Sequence, residues 1–211
     1  MGLLFAAAPA QAQVNTEKMR AKKAKAGVFG YVAGTLLWQT GSTDVLQTGV
    51  SARLGYNKGK HRPFLQGNYT LGQKNDERYV HNGFLHARWP AMWHKRVGSE
   101  VFAQVQFNEF KLLQLRALGG AGVRVAAVLS KYVELYVGSG YMFEYENLDL
   151  DDLGLHPMAG LAGPRHPDKT YHHRWTNYLS LRVDVTKWVH ITNVLYAQPR
   201  FDDFKDVRIL E

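Results

Sequence analysis

Residues 147–173 gather groups that can move protons. Asp149, Asp151, Asp152, His156, His166 and Asp168 lie in this stretch, and His172 and His173 close it. A histidine held by a carboxylate, within hydrogen-bond reach of a water or hydroxyl, would be a general base, and the chemistry would be hydrolysis. The stretch shows no nucleophile context, and a polar connection is the ordinary composition of a loop. Metal capture by His172, His173 and a loop carboxylate meets a further obstacle, because adjacent residues on a strand point to opposite faces. His81-Asn82-Gly83 is faintly like a lipase motif, with no matching serine context after it. Gly119, Gly120, Gly122, Gly138 and Gly140 lie inside strand patterns, not between a strand and a helix as in a phosphate loop. No catalytic, cofactor-binding or metal-binding residue is assigned.

A second set of charges is embedded in apolar surroundings. Arg53, Arg88, Arg116, Arg124 and Arg182, opposed by Glu100, Glu134 and Asp184, occur in segments such as LRALGGAGVRVAAVLSKYVELYVGSGYMF, residues 115–143. Their neighbours alternate. Val97, Ser99, Val101, Ala103, Val105 and Phe107 make one face of a run whose other face is Gly98, Glu100, Phe102, Gln104, Gln106 and Asn108. Residues 175–185 repeat the pattern, with Trp175, Leu179 and Val183 set against Thr176, Ser180, Arg182 and Asp184. A period of two is that of a strand, so the eight charges are expected on one face and the aliphatic residues on the other.

The elements that position them are strands throughout. The chain has 211 residues, 20 glycines and 12% aromatics. It lacks any run of about 18 apolar residues, which excludes a helical membrane span. The absence of cysteine excludes disulfide frameworks, thiolate metal sites, haem attachment and cysteine nucleophiles, and suits an oxidising compartment. MGLLFAAAPAQAQ, residues 1–13, reads as the remnant of a secretory signal with Ala10-Gln11-Ala12 at its cleavage site. Residues 14–27 follow as a basic periplasmic tail, where five Lys or Arg against Glu17 supply +4 of the net +8. Charge concentrated in a tail of an exported chain argues for no nucleic-acid partner.

Strands are predicted at 28–38, 45–56, 63–72, 78–89, 96–108, 111–129, 132–146, 172–185 and 188–198, with a tenth starting near Phe204. HKRVGSEVF (94–102), SKYVELYVG (130–138) and TKWVHITNV (186–194) each place a lysine, a large residue and then valine at a strand start. Lys60, Lys95, Lys131 and Lys187 thereby mark one end of successive hairpins, as in an antiparallel meander. The long 147–171 connection falls at the other end. Short turns at one end, a long loop at the other and aromatic residues near strand ends (Trp38, Tyr56, Trp89, Trp93, Tyr132, Trp188, Tyr196) predict an all-β, antiparallel up-and-down transmembrane β-barrel over residues 28–211. Its apolar side would face outer-membrane lipid and its charged side a lumen. A three-residue turn after Leu129 would pair Arg124 near Gly138 and Val128 near Glu134.

QTGSTD (39–44), LRALGGAGVRV (115–125), VGSGYMFEYE (137–146), RWTNYLSLRVDV (174–185) and FDDFKDVRI (201–209) together resemble the salt-induced outer-membrane protein family, a bacterial domain family of unknown function. The resemblance implies an outer-membrane barrel of twelve strands and carries over no catalytic residue. The ten strands of this chain are then expected to lack a final hairpin. Three functions stay open. The first is a non-catalytic structural or interaction component of the cell envelope, associated with other envelope proteins in a larger assembly. The second is a narrow channel for small, preferentially anionic solutes. The third is a rim hydrolase using His and Asp of residues 147–173. Interleaved charges of both signs favour a salt-bridged plug over an open pore at ten to twelve strands.

Overall fold

The computed structural model describes residues 26–149, 168–186 and 188–210. Ten strands follow one another: β1 (Gly27–Gln39), β2 (Val45–Asn57), β3 (Phe64–Lys74), β4 (Glu77–Met92), β5 (Val97–Asn108), β6 (Leu113–Leu129), β7 (Val133–Leu148), β8 (Lys169–Asp184), β9 (His190–Pro199) and β10 (Val207–Leu210). They form one sheet in sequence order, each strand antiparallel to the next. The predicted strands match these within a few residues. The basic tail and the signal-like segment lie outside the described residues, apart from Ala26 and Gly27.

Local chemistry sets the turns. Asn75 and Asp76 both take positive φ (48° and 66°) between Lys74 and Glu77, which pair with each other. This is the two-residue hairpin geometry that asparagine and aspartate tolerate best. Ser130 closes the β6–β7 turn: its hydroxyl accepts from the Val133 amide at 2.9 Å, and its own amide donates to the Val133 carbonyl at 2.9 Å. Three residues therefore separate these strands, as predicted. Arg124 pairs with Gly138, but an irregularity between Ala126 and Val128 sets Val128 opposite Leu135, so Glu134 lies opposite Leu129.

Connections 58–63, 93–96, 130–132 and 185–189 lie at one end of the sheet, here called proximal. Connections 40–44, 75–76, 109–112 and 200–206 lie at the distal end. The longest stretch between strands separates Leu148 from Lys169, both at the distal end.

One layer of sheet would leave both faces wet, yet one face is buried. Strands β4 and β8 are four steps apart, about 19 Å in a flat sheet. The Arg88 guanidinium nevertheless lies 6.0 Å from the centre of the Tyr178 ring. The sheet is therefore curled, with even-numbered residues of β4 to β9 on its concave side. Val101, Leu179 and Ile191, on the convex side, are 59%, 42% and 53% exposed, so no second layer among the described residues covers them. At the two ends, β1 is exposed on both faces, and among the described residues no ladder joins β1 to β10. The confirmed architecture is an antiparallel ten-stranded curled sheet.

Two aromatic rings fill the concave side because glycine lies beneath them. A Cβ on Gly138 would overlap the Tyr178 ring, and one on Gly120 would overlap Phe102. These close approaches give the glycines inside strands a packing role. Gly138→Ala is expected to displace Tyr178 and lower stability by about 1–3 kcal/mol, the usual cost of overpacking. Gly34→Ala, whose added methyl meets only ordinary contact, should leave the urea midpoint unchanged when both are followed by tryptophan fluorescence.

Candidate functional site

Because side chains alternate, every second residue of the curled strands enters the interior. Of the eight predicted interior charges, Arg88, Glu100, Arg116 and Arg124 are buried, and Arg53, Glu134, Arg182 and Asp184 are half-buried. Arg53 stacks on Phe64 at 4.4 Å. Arg88 donates to Glu100 at 2.9 Å with both side chains buried. Arg124 lies 3.8 Å over the Tyr136 ring. Arg182 contacts Asp184 at 3.1 Å, which also meets His190 at 2.8 Å, and Glu134 pairs in register with Arg182. These groups occupy the proximal half. Arg116 lies in the distal half, with partners that the alternation argument had not singled out.

Those partners centre on Glu144 of β7, which is 1% exposed. Arg116 of β6 approaches it at 2.6 Å, Arg174 of β8 at 2.9 Å, and Arg208 of β10 also contacts it. Arg116 reaches Glu146 at 2.6 Å. Arg174 donates further to the Gln198 carbonyl at 3.0 Å and approaches Asp206 at 3.5 Å. Arg200 contacts Asp202 and, at 3.2 Å, Asp206. Four guanidiniums thus face four carboxylates, and the cluster is neutral. Its hydrogen bond with Arg200 lowers the Asp202 carboxyl to about 2, while the same contact raises Arg200.

Between the two charged halves, polar side chains hold each other. His86 Nδ1 is 3.0 Å from Gln104 Oε1, Gln104 donates to Gln106 at 2.7 Å, and Gln198 donates to Thr176 at 3.2 Å. The cavity bounded by His86, Arg88, Glu100, Phe102, Tyr178 and Tyr196 has a volume of about 10 Å³. That is room for about one water.

The predicted proton-moving residues do not converge. His172 lies on the concave face and His173 on the convex one, where its Nδ1 shares a 2.5 Å hydrogen bond with the Tyr141 hydroxyl. Asp149 accepts from Gln114 at 2.7 Å. Asp151, Asp152, His156 and His166 lie outside the described residues. Among the described residues no three His, Asp or Glu side chains are grouped to hold a metal ion.

Of the seven predicted interface aromatics, Trp38, Tyr56, Trp89, Trp93, Tyr132 and Trp188 are exposed. Trp89 donates to His61 at 3.2 Å and Trp93 to Ser99 at 2.8 Å. Tyr196 is the exception. It is 4% exposed, on the concave side against Tyr178 and Val194, because the phase of β9 turns even residues inward. A distal aromatic group went unrecognised in the sequence: Tyr69, His81 and Phe107 meet edge to face, and Phe143, Tyr171 and His173 cluster on β7 and β8. Extending the alternation of β8 and β7 toward the distal end would have found these rings, and Arg174 and Glu144 opposite them.

A family model described as "Protein of unknown function, DUF481" matches residues 33–209, which takes in nearly all ten strands. The chain belongs to this family. The DUF481 description carries no mention of salt induction or of an outer membrane. Neither a curated protein nor a solved structure matches the chain.

Glu144→Gln should strand three arginines against the remaining carboxylates and cost about 3–5 kcal/mol, as removing one partner of a buried ion pair does. The double variant Glu144→Gln/Arg208→Gln, which restores neutrality, should recover much of that loss in the same urea titration.

Proposed function

We propose that the chain is an outer-membrane β-barrel, non-catalytic, whose interior is a salt-bridged plug and which serves as a structural or interaction component of the cell envelope. The observation that carries this reading is the inversion of the two faces. Among the described residues the buried side chains include Arg88, Glu100, Arg116, Arg124, Glu144 and Arg174, while valines, leucines and tryptophans dominate the large exposed groups. A protein in water buries its aliphatic residues and rarely exposes apolar patches larger than a few hundred Å². In lipid the arrangement is the stable one.

The dimensions agree. Tyr132, one residue before β7, and the outward Tyr141 lie nine residues apart, or roughly 30 Å along the strand. At the usual tilt of about 40° this spans about 23 Å, close to the apolar band of such barrels. Among the described residues no helix is long and apolar enough to cross a membrane, so strands are the crossing elements in this reading. Closure of the sheet belongs to it, since unpaired backbone groups in hydrocarbon cost several kcal/mol each. The resemblance to the salt-induced outer-membrane protein family points the same way.

The small interior cavity and the neutral Glu144 cluster favour a plug over a solute path, and the opposed faces of His172 and His173 speak against a rim hydrolase. Purified protein added to planar lipid bilayers should insert without discrete conductance steps. Regular steps would replace the plug with a channel, and failure to insert would remove the membrane reading.

A further inference from the structure

Tyr141, Tyr171, His173, Phe201 and Asp202 surround a surface cavity of about 390 Å³ on the convex face at the distal end. Small-molecule clefts begin at about 300 Å³. Strand phase places Tyr141, Tyr171 and His173 on the outside of β7 and β8. The 200–206 turn brings in the rest: the Phe201 amide donates to the His173 carbonyl at 3.0 Å, and the Phe201 ring stacks on Tyr141 at 6.2 Å. All three aromatic rings remain substantially exposed.

The chemistry of the walls and rim selects among ligands. Ring faces offer an apolar platform. At the rim, Asp202 is bound to Arg200, so the carboxylate presents acceptor oxygens without net charge. The Tyr141 hydroxyl, already bonded to His173 Nδ1, retains at least one lone pair as a further acceptor. A quaternary ammonium is recognised by the negative faces of an aromatic cage, and it would gain little from a carboxylate already neutralised by a guanidinium. An acyl chain would leave the polar rim unused. A sugar ring has one C–H face and an edge of hydroxyls, and it satisfies both parts.

The geometry points to a site for a glycosyl ring, supplied by the headgroup of a glycolipid in the leaflet at the distal end. This inference rests on the membrane reading, because that reading places the cavity at the level of lipid headgroups and assigns the distal end, with its long connection, to the outside of the cell.

The test uses the full chain carrying ¹³C-labelled tyrosine and phenylalanine rings, in amine-oxide micelles without sugar detergents. Monoglucosyl diacylglycerol should shift the Tyr171 and Phe201 resonances, while phosphatidylethanolamine should not. Phe201→Ala and Tyr171→Ala should each weaken the glycolipid response at least ten-fold, and Trp89→Ala should leave it unchanged. Unshifted rings, or equal shifts with both lipids, overturn the proposal. A response to free methyl glucoside with none to the glycolipid overturns the lipid source. Flotation with plain phospholipid vesicles is read separately: protein that stays at the bottom defeats the membrane reading itself, and with it the lipid source.

Discussion

A guanidinium enclosed by protein must be met by negative charge or by the face of an aromatic ring, and that requirement organises this structure. Glu144 draws on Arg116, Arg174 and Arg208, which come from three different strands. A flat sheet holds β7 and β10 about 14 Å apart, so the contact between Glu144 and Arg208 exists only because the sheet curls. Buried ion pairs are weak contributors to net stability but demanding in geometry. Here they tie β6, β7, β8 and β10 to one arrangement, and the 200–206 turn joins through Arg200 and Asp206.

Aliphatic residues take the other face as a consequence. Every strand alternates, so committing charges and amides to the concave side leaves valine, leucine and tryptophan outside. Glycines at positions such as Gly138 let the large rings of Tyr178 and Phe102 lie close to the wall. The interior from β4 to β9 is consequently occupied by side chains, whereas β1 remains open on both faces. The molecule is filled on one side of its curl and unfinished on the other.

Alternation made most of this legible in the sequence. Strand ends, the order of the meander and the inward direction of Arg88, Glu100, Arg116 and Arg124 follow from period two, because each of those residues interrupts an otherwise apolar run. Tyr196 was misplaced because β9 is apolar on both faces, with Val194 and Tyr196 inside and Ile191 and Leu195 outside, so hydropathy fixes no phase there. The Glu144 cluster stayed hidden for another reason. Glu144 and Arg208, which touch, are 64 positions apart in the chain, and only the curl brings them together. The partner of Glu134 depended on a bulge that no residue type announces.

Lipid contact at the convex face is the central proposal. Spin labels placed singly at Val101, Ala103, Leu179 and Leu181 and at Gln104, Thr176 and Ser180, in protein reconstituted into phospholipid bilayers, read it directly through collisions with oxygen, which concentrates in hydrocarbon. The expected result is high oxygen accessibility at the first four sites and low values at the other three, alternating along each strand. Low oxygen accessibility at all seven sites, or high accessibility of the first four to a water-soluble relaxing agent, would contradict it.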